Sequence, residues 1–239
     1  MNSKTILPFS AAFACALFFS ACEGDNVVNV TEQLLGNANN TNQTDITPQG
    51  NSENKGSTEN LLIDNFEDGD GKCALGESWY FGTDAGSGAE STIEPVAKGA
   101  DGQPTPSKTD NGSKNALSFK YTLKKGKYQY DAYVNWGVHL PKSIDFSKYT
   151  GISYRYKGGF HSIRLETSDV KDSDFHVKQM NSSKEWKSVT VEFSKLTQEG
   201  WGAPAEFDAA HLTGISIQVK GPDGQDSLSI DDIYLIGSN

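Results

Sequence analysis

Short stretches of alternating apolar and polar residues recur along the chain from Leu61 to the C-terminus. They are rich in β-branched and aromatic residues, and segments rich in Gly, Asp and Ser separate them. Alternation with a period of two residues is typical of β-strands that bury one face, and no stretch of useful length shows the period of an amphipathic helix. The pattern predicts strands at residues 61–66, 79–82, 117–123, 128–140, 151–156, 162–167, 175–180, 188–193, 214–220 and 228–236.

Many short strands between turn signals predict an all-β fold, a β-sandwich or jelly roll, for residues 61–239. Residues 98–112 contain Gly, Asp, Pro and Thr throughout and are predicted to form a long loop. Residues 22–60 are rich in Asn, Thr, Gly, Ser and Gln and contain no aromatic residue. Such a segment buries too little apolar surface to offset its loss of conformational entropy, so a disordered tether is expected there.

The first 21 residues have the pattern of a secretory signal. Lys4 supplies a positive charge, and the apolar stretch that follows ends near Phe19, which is shorter than the about 20 apolar residues that span a bilayer. The small residues before Cys22 are similar to the lipobox of bacterial lipoproteins, in which the cysteine becomes the lipidated N-terminus. The alternative is an ordinary secretory signal in which Cys22 has no role. We expect a protein of the cell envelope, anchored to the membrane by lipid at the outer membrane, on its surface or periplasmic face. Cys73 then has no partner for an intrachain disulfide.

Alternation also assigns the two faces of each strand, because successive side chains point to opposite sides. In the strand at 128–140, one side is apolar and is expected in the core: Val134, Trp136, Val138 and Leu140. The other side is expected to be exposed: Tyr133, Asn135, Gly137 and His139. Trp79 and Trp186 are also expected in the core.

Neighbouring strands add polar residues to the exposed side. Ile163 and Leu165 are expected to point inward, which turns Arg164 and Glu166 outward. By the same reasoning Gln218 points outward. A solvated sheet face is the alternative interpretation of each residue taken singly, but together with an aromatic side chain they fit the floor of a binding cleft.

One carboxylate is predicted to point into the core. Asp231 alternates with Ile233 and Leu235 in the last strand, and a buried carboxylate is costly unless it is paired or bound to a cation. Glu67 follows the first strand and is the natural companion, because first and last strands pair in such folds. With backbone carbonyls these two residues would make a structural Ca²⁺ site. The alternative is a carboxylate capped by backbone amides.

The net charge of the chain and the motifs that it lacks narrow the range of possible functions. The formal net charge is −10, which repels phosphate backbones and makes nucleic acid an unsuitable partner. The four histidines show no metal-ligand spacing, and the chain has neither a G-x-S-x-G motif nor a phosphate-binding glycine loop. A neutral polysaccharide is compatible with this charge.

The order of motifs resembles carbohydrate-binding module family 11, a β-jelly roll with the galactose-binding-like fold. The resemblance covers residues 61–237 and rests on collinear segments: Ile63-Asp64-Asn65-Phe66-Glu67, Trp79, Tyr133 to Pro141, Asp145-Phe146-Ser147-Lys148-Tyr149, Ile152-Ser153-Tyr154, Ile163-Arg164-Leu165, Glu185-Trp186-Lys187 with Val191-Glu192-Phe193, and Ile230 to Gly237. The domain of complex I intermediate-associated protein 30 shares the opening and closing strands.

The resemblance implies binding of mixed-linkage or cellulosic β-glucan in a cleft, and it implies calcium at the place of Glu67 and Asp231. Tyr133 stands where the family has a tyrosine that stacks on sugar. Trp201 stands near another, and Tyr80 replaces a third on the same strand face. Gln198 and Gly200 occupy the positions of the family's Arg and Asp, so the resemblance leaves the identity of the glycan open.

We therefore expect a non-catalytic glycan-binding lipoprotein that acts as a monomer. The expected contact residues are Tyr80, Tyr133, Asn135, His139, Arg164, Glu166, Trp201 and Gln218. Two other hypotheses stay open: a small glycanase on a jelly-roll scaffold, and a structural or assembly protein of the envelope that no longer binds sugar.

Overall fold

The computed structural model describes residues 58–100 and 102–238. The signal segment, Cys22 and nearly all of the predicted tether lie outside these residues. Within the described part, strands are joined by turns and three short 3-10 helices. None of the described residues forms a helix long and apolar enough to cross a membrane.

The described residues form fourteen strands, and the predicted all-β fold is confirmed. The strands are β1 (Leu61–Asp64), β2 (Trp79–Thr83), β3 (Thr92–Pro95), β4 (Ala97–Lys98), β5 (Pro104–Thr105), β6 (Ser107–Lys108), β7 (Asn115–Leu123), β8 (Ala132–His139), β9 (Tyr149–Gly158), β10 (His161–Thr167), β11 (His176–Met180), β12 (Ser183–Glu192), β13 (Leu212–Gly221) and β14 (Gly224–Gly237).

Two antiparallel sheets contain most of these strands. A seven-stranded sheet has the order β12-β9-β14-β7-β3, with β1 paired to β14 and β6 paired to β7. A five-stranded sheet has the order β11-β10-β13-β8-β2. Because β1 does pair with β14, the first and last strands lie side by side, as the sequence analysis assumed.

The sequence prediction differs from the structure at three places. The segment predicted as a loop at 98–112 contains β5 and β6, and β3 and β4 were not predicted. The strand predicted from residue 128 begins only at Ala132, since residues 126–130 form a turn and a bend.

The prediction that Trp186 lies in the core is wrong. Trp186 is half-buried on the outer side of β12, which is an edge strand. Its indole N–H donates to Asp110 at 2.8 Å, and the Arg155 guanidinium carbon lies 5.8 Å from the centre of its ring. Successive side chains of a strand point to opposite sides. Because Val189 and Val191 point inward, Trp186 points outward.

A cluster of aromatic rings occupies the core between the sheets. Trp79 and Trp136 are both buried, with ring centroids 4.3 Å apart. Phe66 lies 5.9 Å from Trp79, and Phe119 packs edge-on against Trp136 at 6.0 Å. Aromatic side chains bury large apolar areas, so this cluster stabilises β2 and β8 against the rest of the core.

Asp64 is a buried carboxylate that holds this cluster in place. Its Oδ2 accepts a hydrogen bond from Trp79 Nε1 at 2.7 Å, and its Oδ1 accepts one from the Phe66 backbone N–H at 2.7 Å. Burial raises the pKa of Asp64 to about 6, although both hydrogen bonds act in the opposite direction. The free-energy cost of burying the ionised carboxylate therefore exceeds the stabilisation that the two hydrogen bonds provide.

We expect the stability of the domain to report the pKa of Asp64. The folded-state pKa lies above the ordinary value of 3.8, so the folded protein binds more protons between these two pH values. The free energy of unfolding should fall as pH rises from about 4 to about 6, by roughly 3 kcal/mol at most. NMR titration of the Asp64 carboxyl carbon should show a midpoint near 6.

Asp145 provides the matched control in the same titration. It is exposed, and hydrogen bonds from the Ser147 hydroxyl and backbone N–H lower its pKa. Its midpoint should therefore lie below 3.8. A midpoint for Asp64 at or below that of Asp145 would contradict this account of the core.

Candidate functional site

The outer side of the five-stranded sheet brings together seven of the predicted contact residues. We call this surface the five-strand face and define it by Tyr80, Tyr133, Asn135, His139, Arg164, Glu166 and Gln218. Register places these residues in rows across the strands, because directly opposed residues share a face. Asn135 lies opposite Gln218 on β13, Arg164 opposite Ser216, and Glu166 opposite Gly214.

Tyr80 lies flat against this face. Its ring stacks on His139, with centroids 4.9 Å apart and planes 24° from parallel. The ring crosses Gly137, where an added Cβ would lie 2.9 Å from the tyrosine Oη. The same Cβ would lie 2.8 Å from Ser216 Cβ and 2.9 Å from the Ile215 carbonyl oxygen, so β13 and Tyr80 together favour glycine at this position of β8.

Tyr80 and Glu166 place a hydroxyl and a carboxylate on the five-strand face. Burial raises the pKa of Tyr80 to about 12, and the negative charge of Glu166 adds to the rise. The hydroxyl is thus neutral at physiological pH and able to donate. Glu166 accepts a hydrogen bond from the Ser216 hydroxyl at 2.6 Å.

Arg164 is largely buried and is turned toward the loop after β10. Its guanidinium carbon lies 5.2 Å from the centre of the Phe175 ring, and Nη2 donates to the Ser173 carbonyl at 3.4 Å. Of the seven residues of the five-strand face, Arg164 is the one classed as buried. Arg164 therefore contributes more to positioning the adjoining loop than to hydrogen bonding with a ligand.

Trp201 stands on a loop that is held by carboxylates and is not itself on the sheet. Asp174 is buried and accepts backbone N–H groups from Glu199, Gly200 and Gly202 at 3.0, 2.9 and 2.9 Å. Gln198 closes the same loop by donating to the Asp174 carbonyl at 2.7 Å. Gln198 therefore has a structural role in this loop.

The Trp201 loop is tied to the five-strand face near Tyr133. The indole N–H of Trp201 donates to Glu199 at 3.2 Å, and the same carboxylate oxygen pairs with Lys220. Lys220 lies directly opposite Tyr133 in the register of β13 and β8. The Trp201 loop is thus held by Asp174 in the β10–β11 connection and is linked to the Tyr133 end of the sheet through the Glu199–Lys220 pair.

Exposed aromatic side chains concentrate at this end of the sheet. β8 and β10 begin there, and β13 ends there. Tyr130 precedes β8 and is 63% exposed, and Phe160 precedes β10 and is 42% exposed. Trp201 is 60% exposed, and its loop is linked to this end through the Glu199–Lys220 pair. Isolated exposed apolar residues are ordinary on a protein surface, but a group of them marks an interaction site. We call this region the aromatic end of the five-strand face.

Comparisons with known proteins bear on the fold of the described domain. No family model matches the sequence. The chain is 40% identical over 181 residues to Endoglucanase 3 of Fibrobacter succinogenes (strain ATCC 19169 / S85), which covers 74% of this chain. The chain spans only 27% of the length of that relative.

Two solved structures decide the fold. A family 11 carbohydrate-binding module from Clostridium thermocellum, in complex with a β-1,3-1,4-mixed-linked tetrasaccharide, has a TM-score of 0.51 and 19% identity, covering 75% of this chain and 96% of its own. The family 11 module of the cellulosomal cellulase Lic26A-Cel5E of the same organism has a TM-score of 0.50 and 20% identity, with 77% and 95% coverage. The described domain has the fold of a family 11 carbohydrate-binding module.

Within this fold, the two predicted metal ligands, Glu67 after β1 and Asp231 in β14, both hydrogen bond to residues 111–115 at the start of β7. Glu67 Oε1 accepts the backbone N–H groups of Lys114 and Asn115 at 2.8 and 3.1 Å. Asp231 is fully buried, and its Oδ2 accepts the side-chain N–H of Asn111 at 2.6 Å. Burial raises the pKa of Asp231, and the Asn111 amide opposes the rise.

The donors around these carboxylates fit both interpretations made from the sequence. Amide N–H groups cap Glu67 and Asp231, as the alternative expected. The donor chemistry also suits Ca²⁺, since two carboxylates, an asparagine and loop carbonyls are oxygen ligands, but Asn111 would have to turn its side-chain oxygen toward the ion in place of the N–H that now faces Asp231. The described residues contain no group of three or more His, Cys, Asp or Glu suited to a metal ion.

Sequence reasoning missed three aromatic residues of the module, Tyr128, Tyr130 and Phe160. The first two were assigned to a strand because Tyr128, Tyr130 and the residues after them alternate. Gly126, with φ at +55°, is the signal that could have placed a turn there. Phe160 lies between the strands predicted at 151–156 and 162–167 and was assigned to neither.

Proposed function

We propose that the module binds β-glucan chains on the five-strand face and does not itself hydrolyse them. One observation carries the proposal: exposed aromatic rings and a row of neutral hydrogen-bonding side chains meet at one end of one sheet. The similarity to Endoglucanase 3 and to a family 11 module in complex with a mixed-linked tetrasaccharide supports a glucan as the ligand.

The chemistry of the face suits a neutral sugar chain. The C–H faces of a pyranose ring pack on aromatic rings, and its hydroxyls need directional polar partners. Trp201 and Tyr133 supply the rings, while Asn135 and Gln218 supply amides that both donate and accept. The neutral hydroxyl of Tyr80 adds a further donor beside them.

The carboxylates of the face favour binding over hydrolysis. Glycoside hydrolysis uses two carboxyl groups about 5–10 Å apart on either side of the scissile bond. In the rows that define the five-strand face, Glu166 is the single carboxylate, and its hydrogen bond to Ser216 engages it. Glu199 pairs with Lys220 and Trp201 and serves the loop.

Removing either aromatic ring should weaken glucan binding without unfolding the module. Tyr133→Ala and Trp201→Ala should each lower the affinity for barley β-glucan about fivefold to a hundredfold, because each removes a stacking face. Affinity electrophoresis and calorimetric titration measure this effect. Reducing-sugar release from the same glucan should stay at background.

Trp136→Ala is the matched control on the opposite side of the same strand. It truncates a buried ring, so it should cost about 3–5 kcal/mol of stability. Tyr133→Ala should leave the melting temperature nearly unchanged. Binding by both Tyr133→Ala and Trp201→Ala at the parent's affinity would contradict the site, and sugar release by the parent would contradict the non-catalytic role.

We further propose that the module holds a structural Ca²⁺ ion between Glu67 and Asp231. An ion that binds only the folded state raises stability by mass action, by about 2.7 kcal/mol at a hundredfold excess over its dissociation constant. Chelation should lower the melting temperature, and calcium should restore it. In Asp231→Asn the chelator should have no further effect, whereas Asp145→Asn should behave like the parent. An unchanged melting curve of the parent with chelator would contradict the site.

We also propose that lipid on Cys22 anchors the protein in the cell envelope. The small residues before Cys22 and the polar segment after it support this proposal. Mass spectrometry of the mature protein should find cleavage before Cys22 and acyl groups on Cys22. The Cys22→Ala variant should be absent from the membrane fraction or should not be processed to the mature form. Cleavage elsewhere with an unmodified Cys22 would contradict it.

A further inference from the structure

Residues 124–131 form a loop between β7 and β8 that is fixed to its surroundings. The backbone N–H of Lys125 donates to Asp223 at 2.7 Å, and that of Lys127 donates to the Gly88 carbonyl at 3.2 Å. The backbone N–H of Tyr128 donates to the Lys125 carbonyl at 2.9 Å, which closes a turn. These contacts anchor the loop to two separate segments of the chain, so its side chains are presented in a defined position.

The loop presents one tyrosine and supports it with another. Tyr130 is 63% exposed, and Tyr128 is half-buried beneath it. Their ring centroids are 5.5 Å apart at an interplanar angle of 75°, an edge-to-face contact that favours one orientation of the outer ring. An exposed ring held in this way loses little conformational entropy when it binds a ligand.

The pair continues the aromatic end of the five-strand face. Tyr130 is three residues before Tyr133, so their Cα atoms lie at most about 11 Å apart. Tyr133 is itself fixed there, because its backbone N–H donates to the buried Asp84 at 2.6 Å. Burial raises the pKa of Tyr128, and Tyr133, Asp84 and Tyr130 add to the rise, so Tyr128 lies near both outer rings.

The surroundings of Tyr130 suit a sugar better than an apolar partner. Lys127, Gln129 and Asp131 are all exposed beside it. A ring surrounded by hydrogen-bonding groups matches a pyranose, which has an apolar C–H face and a rim of hydroxyls.

We infer that Tyr130, supported by Tyr128, forms an additional sugar-stacking position beyond Tyr133, so that the site holds a longer glucan chain than the five-strand face alone. The inference rests on the proposed function. The ligand class is a β-linked gluco-oligosaccharide long enough to continue past Tyr133. A chain that ends at Tyr133 does not reach the extra ring.

The test is a comparison of ligand lengths by calorimetric titration of the full chain. Mixed-linkage β-gluco-oligosaccharides of four and eight units serve as the probes. Tyr130→Ala should lower the affinity for the octasaccharide about threefold to tenfold and leave the affinity for the tetrasaccharide unchanged. Tyr130→Phe should restore the octasaccharide affinity, because it keeps the stacking ring.

Tyr234→Ala is the matched control. Tyr234 alternates with the buried Ile233 and Leu235 on β14, so it lies on the outer side of the other sheet. It should bind both oligosaccharides like the parent. If Tyr130→Ala loses affinity equally for both ligand lengths, or for neither, the inference is overturned. In that case the proposed function still stands as long as Tyr133→Ala weakens binding. A parent that binds neither oligosaccharide would overturn the proposed function and this inference together.

Discussion

The contact between Trp79 and Trp136 is the constraint on which the candidate site depends. The two rings lie 4.3 Å apart in the core, and Asp64 fixes the first by a hydrogen bond to its indole N–H. This packing fixes which side of β2 and β8 faces inward. Because the pleat alternates, Tyr80 and Tyr133 must then point outward. A slip of one residue in either strand would exchange the two sets of side chains.

A second feature of the molecule is that carboxylates position the loops around the face. Asp174 gathers three backbone N–H groups of the Trp201 loop, and Asp84 holds the start of β8 through the Tyr133 N–H. Both are buried acids that bind backbone amides. Loops held in this way present their aromatic rings before a ligand arrives, which reduces the entropy lost on binding.

The fold and the face were predictable from sequence because both follow from alternation. Core positions such as Trp136 and exposed positions such as Asn135 needed only the two-residue period. Trp186 was misplaced, although the inward-pointing Val189 and Val191 put it on the outer side of the same strand. The orientation of Arg164 toward Phe175 and the support of Tyr130 by Tyr128 could not be predicted, since both depend on how separate loops fold beside the sheet.

The most direct test of the central claim is NMR mapping of the surface that a mixed-linkage gluco-oligosaccharide contacts. We expect the largest chemical-shift changes at Tyr133, Asn135, Gln218 and the Trp201 indole N–H, with the signals of the other sheet, such as Tyr234, unmoved. Changes centred on the outer side of the seven-stranded sheet, with Tyr133 and Trp201 unaffected, would contradict the account.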